Sequence, residues 1–598
     1  MCGIGTLFHY GGEGADDPVA WLAAINQVQR PRGPDGEGTW ISEDKSIGLG
    51  HRRLAIIDLS ERGDQPMTDG NGLWISYNGE IYNYRELHRE LEARGYTFRS
   101  DSDTEVLLHL YREHGREMCT HLRGMYAFAL WDGARQGLLV ARDPYGIKPL
   151  YYADDGRTLK VASQVKALLA GGGINTSPEP AGHVGFFLWG FVPEPFTLYR
   201  GLRALPPGTT LWVERGGKPH LETFCDIAAE VTQPGTCKPD PAQAREALAH
   251  ALEESVRQHM VADVPVGVFL SAGLDSTAIA TLAARHAPGR LKTFTLGFEE
   301  YRGTLADETP LAETVAKRLG TDHTTCWVQG TEFERSLEAV LTAMDQPSID
   351  GTNTYFVSKA AVGAGLKVAL SGLGGDELLG GYPSFRHVPA ILRVARPLRW
   401  FGKGFRVVTL SLIRRLTSPK YAGLFEFGHS YGGAYLLRRS LYMPWELPEI
   451  LDPDLVREGW RALDPIARID RTLPREVPPF AAVAAMEASL YMRNMLLRDA
   501  DWASMAHSLE VRVPLVDLDL LRAVASFMHT ESPLGKRAMA ACAWRGEEPA
   551  ELLARPKTGF SIPVREWLRR ETGKGERGLR SWARFVYREA PERIGRVS

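Results

Sequence analysis

Cysteine stands at position 2, followed by Gly3. A small second residue normally allows an initiator methionine to be removed, which would leave Cys2 with a free α-amine of unperturbed pKa about 7.7–8.0. Such an amine can take the proton of its own thiol, and a nucleophile paired with its N-terminal amine is a known catalytic arrangement. Any chain can carry a cysteine there, so the position counts only with its neighbours. A second run, Val264 to Ser276 (VPVGVFLSAGLDS), points to different chemistry. Val264, Val266, Val268, Phe269 and Leu270 suit a strand covered on both faces. Ser271, Ala272 and Gly273 leave room for backbone N–H groups to turn inward, and Asp275 and Ser276 open a helix that runs to Arg285. Exposed amides at a helix N-terminus attract anions, although an ordinary strand–turn–helix joint reads the same way. A third run, Ser371-Gly372-Leu373-Gly374-Gly375-Asp376-Glu377, follows a strand near Lys367 to Ser371 and carries an acidic pair. Neither run has Walker A or Rossmann spacing.

Elements must hold these runs in place. At 598 residues the chain is too long for one core, so two or more domains are expected. Hydrophobic and charged contents of 44% and 24% are those of a globular protein, and a net charge of -3 offers no general attraction to nucleic acid or membrane. Six cysteines lie scattered without metal-ligand or disulfide spacing. No apolar run is long enough to span a bilayer, and MCGIGTLFHY has no leader pattern. A cytoplasmic enzyme is the expectation. Ile47 to Asp58, Leu73 to Tyr77, Met125 to Trp131 and Gly137 to Arg142 read as strands of a first domain, 2–215. Pro, Gly and Thr then mark a linker over 216–240. From Pro241 a helix begins with Leu248, Leu252 and Val256 on its buried face. Strands at Lys292 to Phe298 and His323 to Val328 alternate with helices near Leu311 to Leu319 and Glu334 to Met344. That alternation over 241–598 predicts a parallel sheet, with nucleotide at the carboxyl ends of its strands. Leu296 then either lines an adenine pocket or packs the core. Asp275 and Asp376 are candidates to hold Mg²⁺ against phosphates, since hard cations take carboxylate oxygens.

Four further motifs follow Cys2 in order: Arg32-Gly33-Pro34-Asp35, His51-Arg52-Arg53-Leu54, Asn78-Gly79-Glu80-Ile81-Tyr82-Asn83 and Ser102-Asp103-Thr104-Glu105. Here the chain resembles the class II, N-terminal-nucleophile glutamine amidotransferases. The Ser271 to Ser276 turn, which has no lysine, resembles the pyrophosphate loop of the N-type ATP pyrophosphatases. With Lys557 in Arg555-Pro556-Lys557-Thr558-Gly559-Phe560 and the stretch Arg498 to Asp517, nearly the whole chain is similar to the glutamine-hydrolysing asparagine synthetases. The resemblance implies a two-domain α/β fold: an αββα glutaminase sandwich, then a parallel-sheet ATP-pyrophosphatase domain with a helical C-terminal part. It implies that Cys2 attacks the glutamine amide, with Asn78 and the Gly79 N–H as oxyanion hole. Arg53 would bind the glutamine α-carboxylate and Asp103 its α-ammonium, with Glu80 assisting through its backbone. Leu270, Ser271, Gly273, Asp275, Ser276, Leu296, Ser371, Gly372 and Lys557 would contact ATP, and Asp275 and Asp376 the Mg²⁺. The implied reaction makes asparagine, AMP and pyrophosphate from aspartate, glutamine and ATP; a homodimer stays open.

Two departures bear on the acceptor. Ala272 replaces the glycine of the usual SGGLDS, which is tolerable at negative φ. Leu373 replaces a glutamate, and leucine cannot transfer a proton. Amidation of another carboxylate, such as a cell-envelope sugar acid, is therefore an alternative; a lone glutaminase or a scaffold without synthetase activity is a third. Finally, 386–420 carries nine Lys or Arg and no Asp or Glu, interleaved with apolar residues. That stretch reads either as a packed helical segment with solvated arginines or as a site for an anionic glycan or membrane surface.

Overall fold

The computed structural model describes residues 2–12, 14–233, 240–416, 418–555 and 579–594. Two six-stranded antiparallel sheets lie face to face in its first part. One holds the strands Gly3–Phe8, Gly36–Ile41, Ile47–Arg53, Tyr151–Asp154, Leu159–Ala162 and Arg203–Ala204; the other holds Met67–Thr68, Leu73–Ile81, Gly124–Asp132, Gly137–Arg142, Thr209–Glu214 and His220–Thr223. The strand Gly124–Asp132 shows why they stack. With a period of two, Ala127, Ala129 and Trp131 face Ile4, Phe8, Ile47 and Leu49 of the opposite sheet. Tyr126, Phe128 and Leu130 face the other way, onto helices Tyr84–Ala93 and Asp103–His114. Helices Pro18–Gln29 and Val165–Gly171 cover the far side of the first sheet. The result is a four-layered αββα sandwich.

The segment expected as linker starts differently. His220–Thr223 pairs with Thr209–Trp212, so the second sheet runs past residue 215, and helix Ile227–Thr232 follows. Residues 234–239 lie outside the described residues.

The second part is built on a five-stranded parallel sheet ordered Asp322–Val328, Lys292–Phe298, Val266–Phe269, Val368–Leu370, Glu510–Arg512. Chain order reverses between Val266–Phe269 and Val368–Leu370, which makes the crevice beyond their carboxyl ends the switch point where such sheets bind ligands. Both chemical runs of this domain, Ser271 to Ser276 and Ser371 to Glu377, leave from there. A mostly helical stretch then intervenes, including Pro453–Leu463, the π-helical Glu487–Leu497 and Arg498–Met505, before the chain returns as Glu510–Arg512.

The two parts share a core. Every residue of helix Pro180–Trp189 except the half-buried His183 is buried, and its apolar side chains join the core of the second part. It crosses Pro453–Leu463 so closely that a Cβ on Gly459 would lie 2.3 Å from the Pro180 carbonyl oxygen.

The turn after Gly137–Arg142 hangs on one buried carboxylate. Asp143 accepts the N–H groups of Tyr126, Tyr145, Ile147 and Lys148 at 3.3, 3.1, 2.9 and 2.9 Å. Asp143→Ala strands these donors. At 1–3 kcal/mol for each buried donor left unpaired, a loss of about 3 kcal/mol or more is expected. A thermal melt should show it as a fall of roughly 6–12 °C.

Candidate active sites

Cys2 leads into Gly3–Phe8, and the neighbouring strand Ile47–Arg53 carries Arg53 to its side. The strand Leu73–Ile81 of the other sheet contributes Asn78, Gly79 and Glu80, while the first turn of Asp103–His114 contributes Asp103. Cys2, Arg53, Gly79, Glu80 and Asp103 line one cavity. The Cys2 N–H donates to Asn78 Oδ1 at 2.8 Å. Asn78 Nδ2 is then a buried donor with no hydrogen-bond partner among the described residues. Held beside a nucleophile, such a donor suits an oxygen that becomes negative during reaction. Gly79 has to be glycine, because a Cβ would lie 2.2 Å from the Met125 carbonyl oxygen.

Arg53 is aimed by the Ser60 carbonyl at 2.9 Å and by Asp64 at 2.8 Å. Asp103 accepts the Tyr77 hydroxyl at 2.8 Å and the Ile81 N–H at 3.0 Å, and burial pushes its pKa up to about 6. Burial likewise raises the Cys2 thiol above its ordinary value, so the thiol needs a base to become a nucleophile. The Glu80 carboxylate pairs with Arg512 of the second part at 3.1 Å, which leaves its backbone to face the cavity.

The second part also reaches Cys2 itself. Arg32 Nε donates to the Cys2 carbonyl at 3.0 Å, and its two Nη atoms grip Asp501 at 2.7 and 2.9 Å. Both side chains are buried. Arg32 and Asp501 each stand in a run that sequence reading singles out, but only the fold gives them this joint task.

At the switch point, the Ser271 and Ser276 hydroxyls bond each other at 2.8 Å, and Ser276 Oγ accepts the Ser271 N–H at 3.1 Å. The turn is thus fixed by its own side chains. Ala272 is absent from the positive-φ residues, so its methyl is tolerated as expected. The two loops touch: a Cβ on Gly372 would lie 2.8 Å from the Ser276 nitrogen, and one on Gly375 would lie 2.5 Å from Asp275 Oδ1. Leu270 and Leu296 are buried in the core cluster beneath them. Lys557 lies outside the described residues.

Sequence reading passes over Lys536. Its ammonium bridges Asp275 Oδ2 at 2.6 Å and Asp376 Oδ1 at 2.5 Å. Burial works against that charge, but the two carboxylates outweigh it and raise the lysine above its ordinary value. A lone lysine at the start of helix Lys536–Trp544 carries no motif to reveal this. Two carboxylates already gathered around one cation fit a hard divalent ion. Among the described residues no cluster of three or more His, Cys, Asp or Glu forms a metal site, so such an ion would take its remaining oxygens from phosphate or water. Glu377, four residues after Leu373, is buried with Oε2 lacking a hydrogen-bond partner among the described residues, and burial pushes its pKa up to about 8.

Residues 1–224 match the family model described as a glutamine amidotransferase domain, and residues 247–584 match that described as asparagine synthase. The chain belongs to the asparagine synthase family. Asparagine synthetase [glutamine-hydrolyzing] 1 of Bacillus subtilis is 32% identical over 99% of this chain and 90% of its own. A Mycobacterium tuberculosis protein carrying the asparagine synthetase [glutamine-hydrolyzing] name is 36% identical over 94% of this chain and 86% of its own. Amidase chry2 of Gibberella zeae is 32% identical over 64% of this chain and 60% of its own. As a family member the chain is a glutamine-hydrolysing amidotransferase ligase, and the family uses ATP.

The Arg32–Asp501 clamp makes the thiol's surroundings depend on the other domain. Asp501→Asn should loosen the Cys2 backbone and raise the rate of Cys2 alkylation by iodoacetamide severalfold. Peptide mapping by mass reads that rate, and a thermal melt run alongside shows whether the chain is still folded.

Proposed function

We propose that Cys2, with Met1 removed, uses its own α-amine as base and attacks the side-chain amide of glutamine, releasing ammonia. Asn78 Nδ2 and the Gly79 N–H bind the oxyanion, Arg53 binds the α-carboxylate as a planar fork, and Asp103 binds the α-ammonium. The second domain binds ATP at Leu270, Ser271, Gly273, Asp275, Ser276, Leu296, Ser371, Gly372 and Lys557, and activates an acceptor carboxylate as its adenylate. Asp275 and Asp376 would hold Mg²⁺, which supplies charge neutralisation on the phosphates. Ammonia then displaces AMP. Aspartate is the first acceptor to test, and a cytoplasmic location belongs to the same proposal. The observation that carries this reading is the buried Asn78 Nδ2, without a hydrogen-bond partner among the described residues, on the side chain that holds the Cys2 N–H, with Cys2 lining one cavity together with Arg53, Gly79 and Asp103.

A different acceptor has its own support. Leu373 removes a carboxylate from the glycine-rich loop. The second domain also holds a cavity of about 180 Å³ lined by Trp189, Tyr435, Tyr491 and Met495 together with Asp350 and Arg439. That lining suits a larger, partly apolar acid better than aspartate. Glutamine labelled with ¹⁵N in its amide, supplied with ATP, magnesium and aspartate, distinguishes the two. Labelled asparagine with AMP and pyrophosphate supports the first; label entering only another acid from a metabolite extract supports the second. No nucleotide turnover with any acid refutes both.

Two further outcomes follow from the first site. Cys2→Ala should abolish glutamine-driven synthesis while leaving synthesis from added ammonium within about twofold, read as AMP formation. Asp103, with its pKa near 6, is ionised above that value and neutral below it, where it can no longer pair with the α-ammonium. The KM for glutamine should therefore rise as pH falls through about 6. Asp103→Asn should raise KM above pH 6 to about the value the unaltered enzyme shows at low pH, leave it nearly unchanged below pH 6, and so flatten the profile.

A further inference from the structure

The basic stretch 386–420 forms most of helix Ser384–Ala395, the single turn Arg399–Phe401 and helix Gly402–Leu416. The last helix stands on Pro419–Gly423 and Leu424–Phe427. Its inner side is specific: Phe405 meets Phe425 edge-on with centroids 4.7 Å apart, and Arg406 pairs with Glu426 and lies over Trp445. Its exposed side mixes apolar residues with Lys403, Ser411 and Arg415, and the turn before it leaves Trp400 and Phe401 exposed as well. Trp400 is 83% exposed, Phe401 62%, Val408 81% and Leu412 60%. Twelve large apolar side chains are exposed among the described residues, and eight of them fall between 394 and 421. Single exposed apolar residues are ordinary, but a concentration of this kind marks an interaction surface. Around it Arg393, Arg396, Arg399, Lys403 and Arg415 are also exposed.

The occupant has to satisfy both features. A second copy across a two-fold axis would set these basic groups against themselves. A free anion would leave Trp400, Phe401 and the valines in water. An anionic bilayer surface meets both demands, because tryptophan and phenylalanine settle at headgroup level while arginine and lysine reach the phosphates. Among the described residues no helix is long and apolar enough to cross a membrane, so the contact would be interfacial. We propose that this face docks the enzyme on anionic lipid. The proposal is independent of which acid the enzyme amidates.

The test uses the full chain and vesicles of phosphatidylcholine, alone or mixed with phosphatidylglycerol, with sedimentation at low and high salt. The protein should pellet with the mixed vesicles and be released by salt. The pair Arg399→Glu and Lys403→Glu should weaken partitioning by at least tenfold, since each basic group near such a surface contributes roughly fivefold. The pair Trp400→Ala and Phe401→Ala should weaken it comparably. Ammonium-driven activity and melting temperature should stay unchanged in both. Equal binding to neutral vesicles, unchanged binding of the charge-reversed protein, or no pelleting at all would overturn the proposal. So would a dimer seen by sedimentation velocity that the Trp400 and Phe401 changes dissolve, since the face would then belong to a second copy.

Discussion

One guanidinium ties the two halves together. Arg512 is fully buried between Glu80 of the first domain and Glu510 of its own strand, at 3.1 and 2.7 Å. Its Nη1 also donates to the carbonyl of His259 at 2.9 Å. Its own carbonyl accepts the Ser371 N–H at 2.8 Å, the first residue of the glycine-rich loop. The same residue thus fixes the start of the glycine-rich loop by its backbone and the strand bearing Asn78 and Gly79 by its side chain. Burial opposes the charge on Arg512, yet Glu80 and Glu510 hold it above the ordinary value. Burial raises Glu80, whereas Glu510 is held low against the same burial by several nearby positive charges, the chain's N-terminal ammonium first and Lys148 and Arg512 after it. Groups of this kind add little net stability, because their desolvation consumes most of the attraction. What they enforce is register: removing one partner leaves an uncompensated buried charge, at about 3–5 kcal/mol.

The same logic repeats along the seam. Arg32 joins the Cys2 carbonyl to Asp501, and Arg123 grips Asp517 at 2.9 and 3.0 Å. Asp345 of the second domain accepts the N–H groups of Val165 and Lys166, at the start of a first-domain helix, at 2.9 and 3.0 Å. With Pro180–Trp189 sunk in the second domain's core, the boundary in sequence is not a boundary in packing. The glutaminase half is therefore held in shape partly by residues more than three hundred positions away.

This explains what sequence reading reached and what it missed. Lys292–Phe298 lies where its apolar run places it, and the two loops of the second domain stand at the switch point because β-branched strands and small-residue turns are local signals. His220–Thr223 was hidden within an expected linker because all four of its side chains are exposed, so no alternation marks it. Glu510–Arg512 was hidden for the opposite reason. A three-residue strand with two charged side chains reads as loop, and its burial depends on the pairing of those two charges with each other and with Glu80 and Lys148 of the other domain. Lys536 and Asp501 are of the same type, since each acts through a partner far away in sequence.

The proposed reaction needs nitrogen freed beside Cys2 to reach the second domain, and the charge balance of the seam bears on any buried path between them. In neutral water ammonia is mostly protonated, and ammonium has no lone pair with which to attack an adenylate. A buried route favours the neutral form, because burial penalises charge. Two carboxylates on that route would undo the advantage by attracting a cation. Here Glu80 and Glu510 are matched by Arg512 and by Lys148, whose Nζ lies 3.6 Å from Glu510 with both side chains fully buried. The counter-ions that set the register of the domains also offset these carboxylates, so a buried path along the seam would not meet an uncompensated negative charge that holds ammonium.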